Sequence, residues 1–269
     1  MWEGLAGYLV CGVLAGLAAG MFGVGGGIVV VPFLAWQFPE QGFPERLVML
    51  MAVATSLATI VVTSVSSVLA HHRLGAIRWD VVRRLVPGIV VGSLLGAVIA
   101  ERLPVPVFKL LFGVFLVLVA QRLFFRAGPA GGCHGKSSAL DFAAAGSLIG
   151  VSSAILGIGG GTLSVPYLVK QGFPIRNAVA ISSACGFPIA VVGTAAYVIL
   201  GWNQPTLPPM SAGYVSLPAF LAIALASVPF APVGAQLASR LPGAVLRRGF
   251  AAVLLLVGGR LFWQGFTML

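Results

Sequence analysis

Charge is scarce in this chain. Asp, Glu, Lys and Arg make up 8% of its 269 residues, against about 25% in a soluble domain. Six acids and three histidines leave little from which to build an active site. No GxSxG, HExxH or P-loop lysine motif is present, so neither an enzyme nor a cofactor is expected. The three cysteines, Cys11, Cys133 and Cys185, lie far apart, two of them inside apolar segments. They make no metal or disulfide pattern. No Asp, Glu, Lys or Arg sits clearly at the centre of an apolar run, which argues against a carboxylate proton relay within a membrane. A carboxylate cage or histidine cluster for a cation is missing as well. So is a basic leader: Met1-Trp2-Glu3 opens the chain with an acid, and the first apolar segment is expected to stay in the mature protein.

Apolar residues fill the space that charge leaves. They reach 59% of the chain, with a mean hydropathy of +1.05. Such a chain must hide most of its surface in lipid. The expected fold class is an all-α integral membrane protein, multi-pass, in the inner or plasma membrane. The net charge of +10 is read as basic residues gathered in cytoplasmic loops, and nucleic acid is not an expected partner.

Apolar segments fall near 5–22, 28–36, 48–70, 85–100, 105–125, 140–156, 162–169, 178–200, 212–238 and 243–266. A span needs about 20 residues, so 28–36 and 162–169 are too short to cross. Read as one helix, 5–36 would run about 48 Å, well past a hydrocarbon core of roughly 30 Å. A break is needed, and the sequence marks it. Gly23-Val24-Gly25-Gly26-Gly27 returns 134 residues later as Gly157-Ile158-Gly159-Gly160-Gly161. Each run is followed five residues on by a proline, Pro32 or Pro166. Residues 12–34 match 146–168 at 10 of 23 positions, and 96–124 match 234–262 at 14 of 29. Gln41-Gly42-Phe43-Pro44 recurs at 171–174. Two homologous halves follow, 1–127 and 139–269, joined by a loop at 128–138.

Basic residues distinguish two topologies. If each glycine-bearing segment crosses once, the halves are parallel and the 16 basic residues split 8 and 8. If each is a re-entrant hairpin, every half makes three crossings and the halves are inverted. One face then holds Arg73, Arg78, Arg83, Arg84, Arg122, Arg126, Lys136, Lys170, Arg176, Arg240, Arg247 and Arg248. The other holds Arg46, Arg102, Lys109 and Arg260. The 12-to-4 split obeys the positive-inside rule. It predicts inverted repeats with both termini outside the cytoplasm.

A backbone break at membrane depth leaves N–H and C=O groups unpaired, tolerable only against protein or a wet cavity. Glycine permits the sharp turn and close approach of a ligand. The helices resuming near Ile28 and Thr162 aim their partly positive ends at the breaks. Pro32 and Pro166 are expected in the first turns, where a missing N–H costs little. Together these features describe an anion cradle without a fixed cation. Gly23, Gly25, Gly26, Gly27, Pro32, Gly157, Gly159, Gly160, Gly161 and Pro166 form the candidate site. Thr55, Ser56, Ser152, Ser153, Thr162, Ser164, Ser182 and Ser183 supply hydroxyls near it, unless they bond backbone a turn earlier. Ser56 and Ser182 are repeat-related. Glycines such as Gly92 and Gly96 read instead as close helix packing. His71-His72-Arg73 reads as a solvated helix end, and Asp80 and Asp141 as loop residues paired with neighbouring cations.

The doubled Gly-Gly-Gly…Val-Pro element, the later Ala54-Thr55-Ser56 and the two membrane halves resemble the TauE/SafE sulfite exporter family over essentially the whole chain. The resemblance implies export or permeation of small sulfur-containing anions such as sulfite, sulfoacetate or other organosulfonates, or of carboxylates. The expected mechanism is alternating access around the glycine-lined centre. A passive anion channel and a membrane scaffold without flux are the competing readings. The expected partners are a small anion and the bilayer, with a homodimer left open.

Overall fold

The structure is a computed structural model and describes residues 2–22, 25–125, 138–240 and 243–268. The described residues form ten helices and one small hairpin. The first half holds α1 (Trp2–Phe22), α2 (Gly27–Glu40), α3 (Glu45–Arg73), α4 (Trp79–Arg102) and α5 (Val105–Phe125). The second holds α6 (Ala139–Leu156), α7 (Gly161–Lys170), α8 (Ile175–Gly201), α9 (Leu217–Arg240) and α10 (Gly243–Thr267). Between α8 and α9, β1 (Ser211–Ala212) and β2 (Val215–Ser216) pair antiparallel.

The predicted breaks lie where α1 gives way to α2 and α6 to α7. Both pairs turn back on themselves. Tyr8 near the start of α1 donates its hydroxyl to Gln41 just past α2, at 2.6 Å. A Cβ added at Gly7 would lie 3.2 Å from Gln37, and one at Gly26 would lie 3.0 Å from the Ala15 carbonyl. In the second half the Phe142 and Tyr167 rings meet edge to face, 6.1 Å apart. Each broken segment is therefore an antiparallel helical hairpin.

The central layer is α3 against α8. In α3 residues 47–60 are all buried, the mark of a helix apolar on every side and enclosed by others. Around them α1 packs on α9, α4 on α6 and α5 on α10. Exchange the halves and this pairing maps onto itself. Small residues allow the close crossings. Gly12 and Gly16 abut Ile223 and Ser227, whereas Gly88, Gly92 and Gly96 abut Ala143, Ser147 and Val151. At each of these glycines a side chain would meet backbone, so the packing reading of Gly92 and Gly96 agrees with the structure.

Polar contacts gather at two opposite ends. At one, Lys109 meets Glu45 at 3.0 Å, Arg46 meets Thr206, and Tyr214 meets Glu101. At the other, Arg176 and Asn177 bind the Leu74 and Ala76 carbonyls. Between the ends the outer surface is apolar: Ile199, Leu225 and Leu256 are 73%, 72% and 75% exposed. By length and composition α3, α4 and α8 are long and apolar enough to cross a membrane.

Two loop expectations differ in outcome. Asp80 pairs with Arg78 at 3.1 Å as expected. Asp141 instead caps α6: its carboxylate accepts the Ser138 N–H, and the Ser138 hydroxyl accepts the Asp141 N–H. A reciprocal capping box satisfies two helix-end donors at once, which a surface ion pair would not do.

Candidate functional site

The two breaks adopt the same backbone. Gly26 caps α2 at φ 77°, ψ −16°, and Gly160 caps α7 at φ 77°, ψ −18°. Both are left-handed, a conformation that costs other L residues about 1–2 kcal/mol. Neither cap carries a side-chain hydrogen bond. The Gly26 carbonyl accepts from Val29 and Val30, and the Gly160 carbonyl from Leu163 and Ser164. The first N–H groups of α2 and α7 therefore have no partner within their own helices, as at any helix start.

The breaks face each other. A Cβ on Gly25 would lie 3.7 Å from the Gly159 Cα, and one on Gly27 would collide with the Gly157 carbonyl. Ser56 of α3 donates its hydroxyl to that carbonyl at 2.8 Å. Gly157, Gly159, Gly160 and Gly161 are buried, as are Gly26 and Gly27. Gly25, Gly27 and Ser56 of the first half thus meet Gly157 and Gly159 of the second at one centre. Gly23 falls outside the described residues.

Pro32 and Pro166 are each the sixth residue of their helices, not in the first turn as expected. There a proline removes the N–H that would bond the carbonyl four residues back. The carbonyls of Ile28 and Thr162, next to the breaks, lose that partner. The helices begin earlier than the apolar pattern suggested because glycine itself supplies their first residues.

The hydroxyls divide into two sets. Thr55 accepts the Ser216 N–H at 3.0 Å, so it ties the β-hairpin to α3. Ser56 holds Gly157. Ser183 bonds the Val179 carbonyl one turn back, the backbone alternative allowed for such residues. Ser153, Thr162, Ser164 and Ser182 have buried hydroxyl oxygens with no partner. Each such group costs about 1–3 kcal/mol unless something meets it. All four belong to the second half. Ser152 instead lines a cleft of about 350 Å³ between α6 and α7. The repeat is thus asymmetric in chemistry: Ser56 is engaged, and its counterpart Ser182 is not.

Sequence reasoning missed two groups. Gly186 of α8 lets that helix approach the second break, since a Cβ there would sit 2.8 Å from the Gly159 carbonyl. Its repeat counterpart is Ile60, which packs against Gly25 and Gly27. The Ala-Thr-Ser repeat register was the available signal. The second group is the hairpin before α9. Tyr214 is buried and donates to Glu101 at 3.0 Å, whereas the Tyr197 hydroxyl donates to the Ala154 carbonyl at 3.0 Å. Burial, and then the Glu101 charge, push the Tyr214 phenol up to about 12. It stays a neutral donor at ordinary pH.

Comparison with known proteins follows the same lines. Residues 8–261 match the family described as Sulfite exporter TauE/SafE. A probable membrane transporter protein of Haemophilus influenzae is 36% identical over 254 residues, 94% of this chain and 96% of that protein. One from Methanocaldococcus jannaschii is 25% identical, covering 93% and 92% of the two chains. The Bacillus subtilis protein YunE, also a probable membrane transporter, is 27% identical over 72% of this chain and 78% of its own. No solved structure matches. With doubled glycine breaks between two homologous helical halves, and relatives aligned along almost its whole length, the chain belongs to the TauE/SafE sulfite exporter family of membrane transporters.

Proposed function

We propose that this transporter moves small sulfur-containing anions, such as sulfite, sulfoacetate or other organosulfonates, out of the cell across the plasma membrane. One observation carries the reading: two helix N-termini with matching left-handed glycine caps meet where Gly25 faces Gly159, and the unpartnered Ser164 hydroxyl lies beside Gly160. Backbone N–H groups at a helix start favour an anion through both hydrogen bonds and dipole. Hydroxyl donors add selectivity for oxygen-rich ligands. With no fixed cation at the centre among the described residues, the anion is held loosely enough to leave.

We further propose that the halves are inverted repeats. The folded-back hairpins leave each half three further helices, an odd number. The contacts at the two ends of the bundle agree with that count: the starts of α1 and α3 share an end with the finish of α10, and the finish of α3 shares the other end with the start of α8. Alternating access is then a rocking of one half on the other about the glycine centre.

Flux into or out of proteoliposomes tests the function, with sulfite, sulfoacetate and thiosulfate at varied pH and potential. Gly26→Val and Gly160→Val should abolish flux while leaving membrane insertion intact. Wild-type flux in either variant rejects the cradle. Cysteines placed at 80 and 205 test the topology: labelling from the same side of the membrane rejects inversion.

A further inference from the structure

A second cavity begins beside the first glycine break, at Ile28, and opens outward along α2. It has a volume of about 820 Å³ and runs between α2, α5 and α10. We propose that it is a binding site for one zwitterionic phospholipid with a free ammonium headgroup, of the phosphatidylethanolamine type.

Shape comes first. Ile28, Pro32 and Trp36 of α2 make one wall, and Val257 and Leu261 of α10 the other. Along α2 the lining extends from Ile28 to Glu40, about 18 Å at 1.5 Å per residue. Half of a hydrocarbon core roughly 30 Å thick is nearly the same length. The groove therefore suits an acyl chain of one leaflet. Its reach along α2 is extended by the length of that helix, 14 residues where α7 has 10. The added turn, residues 37–40, carries Pro39 and Glu40 into the lining.

Charge decides the headgroup. The groove is lined by two cations, Lys109 and Arg260, and two carboxylates, Glu40 and Glu45. Lys109 and Glu45 satisfy each other at 3.0 Å, with the Lys109 side chain 10% exposed. Arg260 and Glu40 make no ion pair among the described residues. One cation and one carboxylate left without an ion pair in the lining of an apolar slot match a headgroup bearing both signs. Arg260 takes the phosphate through paired N–H donors, and Glu40 takes the ammonium. A purely anionic lipid or a fatty acid would set its charge beside an unmatched carboxylate. A choline headgroup offers Glu40 no N–H.

The protein is reconstituted with equal phosphatidylethanolamine, phosphatidylcholine and phosphatidylglycerol, extracted mildly and weighed by native mass spectrometry. One phosphatidylethanolamine per protomer is expected, retained at least about fivefold over each other lipid, a modest margin for one charge-assisted contact pair. The double variant Glu40→Gln, Arg260→Gln should lose that margin. Val257→Trp, which fills the slot without touching a charge, should expel the lipid. Equal retention of the three lipids, preference for phosphatidylglycerol, or unchanged retention in both variants overturns the proposal. So does a stable dimer cross-linked through Trp36→Cys, which would make a second copy the occupant.

Discussion

The Ser56 hydroxyl on α3 donates to the Gly157 carbonyl at 2.8 Å. A helix of the first half thereby holds the break of the second. Its counterpart Ser182 is buried at 1% exposure and has no partner. One repeated position has become a strut on one side and a free hydroxyl on the other.

Ser56→Ala should therefore lower stability. It removes one buried hydrogen bond and leaves the Gly157 carbonyl without its donor, at a cost of about 1–3 kcal/mol. A lower melting temperature in detergent is the expected reading. An unchanged one means that the strut carries no stability.

Ser182→Ala should act in the opposite sense. It deletes an unsatisfied group, so the melting temperature should hold or rise. Anion flux should fall about tenfold if the hydroxyl contributes one hydrogen bond worth about 1.4 kcal/mol. Ser183→Ala, whose hydroxyl is already bound to Val179, should leave flux near the parent level. Equal flux in all three proteins removes Ser182 from the site.

Two glycine substitutions separate strain from collision. Gly42 has φ +77° with open space around it, so Gly42→Ala meets backbone strain alone, about 1–2 kcal/mol. Gly27 has ordinary φ, but its Cβ would strike the Gly157 carbonyl and lie 3.1 Å from the Ser56 hydroxyl. Gly27→Ala should cost more stability than Gly42→Ala and should also impair flux. Comparison of the two melting curves checks the order.

Tyr214 links stability to alkaline pH. An unfolded tyrosine titrates near 10, whereas the folded phenol is pushed up to about 12. The folded state therefore holds its proton more tightly. That contribution is fully present below about pH 10 and is lost as pH rises toward 12. Tyr214→Phe should melt lower at neutral pH, by about 1 kcal/mol for the bond to Glu101. The gap between parent and variant should shrink between about pH 10 and 12. A constant gap across that range rules out the linkage.

Much of the fold was legible in the sequence because lipid imposes simple rules. Few charges, long apolar runs and two segments too short to cross predicted helices with breaks, and the doubled glycine run located them. The breaks at Gly26 and Gly160 have nearly the same backbone angles, since a left-handed cap without a side chain has few alternatives. The hydroxyls were less legible. Thr55, Ser56, Ser153 and Ser182 look alike in sequence, and only their neighbours separate strut from free donor. Asp141 read as a loop anion because its capping partner, Ser138, signals only once the helix start is known.

By itself the sequence determined that the chain is helical, membrane-bound, doubled and twice interrupted, because composition and glycine placement act locally. Tertiary structure decided the rest. It brought Gly25 against Gly159 and Ser56 onto Gly157, contacts across 134 and 101 residues of chain that no local pattern encodes. It also turned one extra turn of α2 into a cavity wall. The physical reason is that a local preference specifies a backbone angle, whereas a partner is specified only by what the packed helices bring within bonding distance.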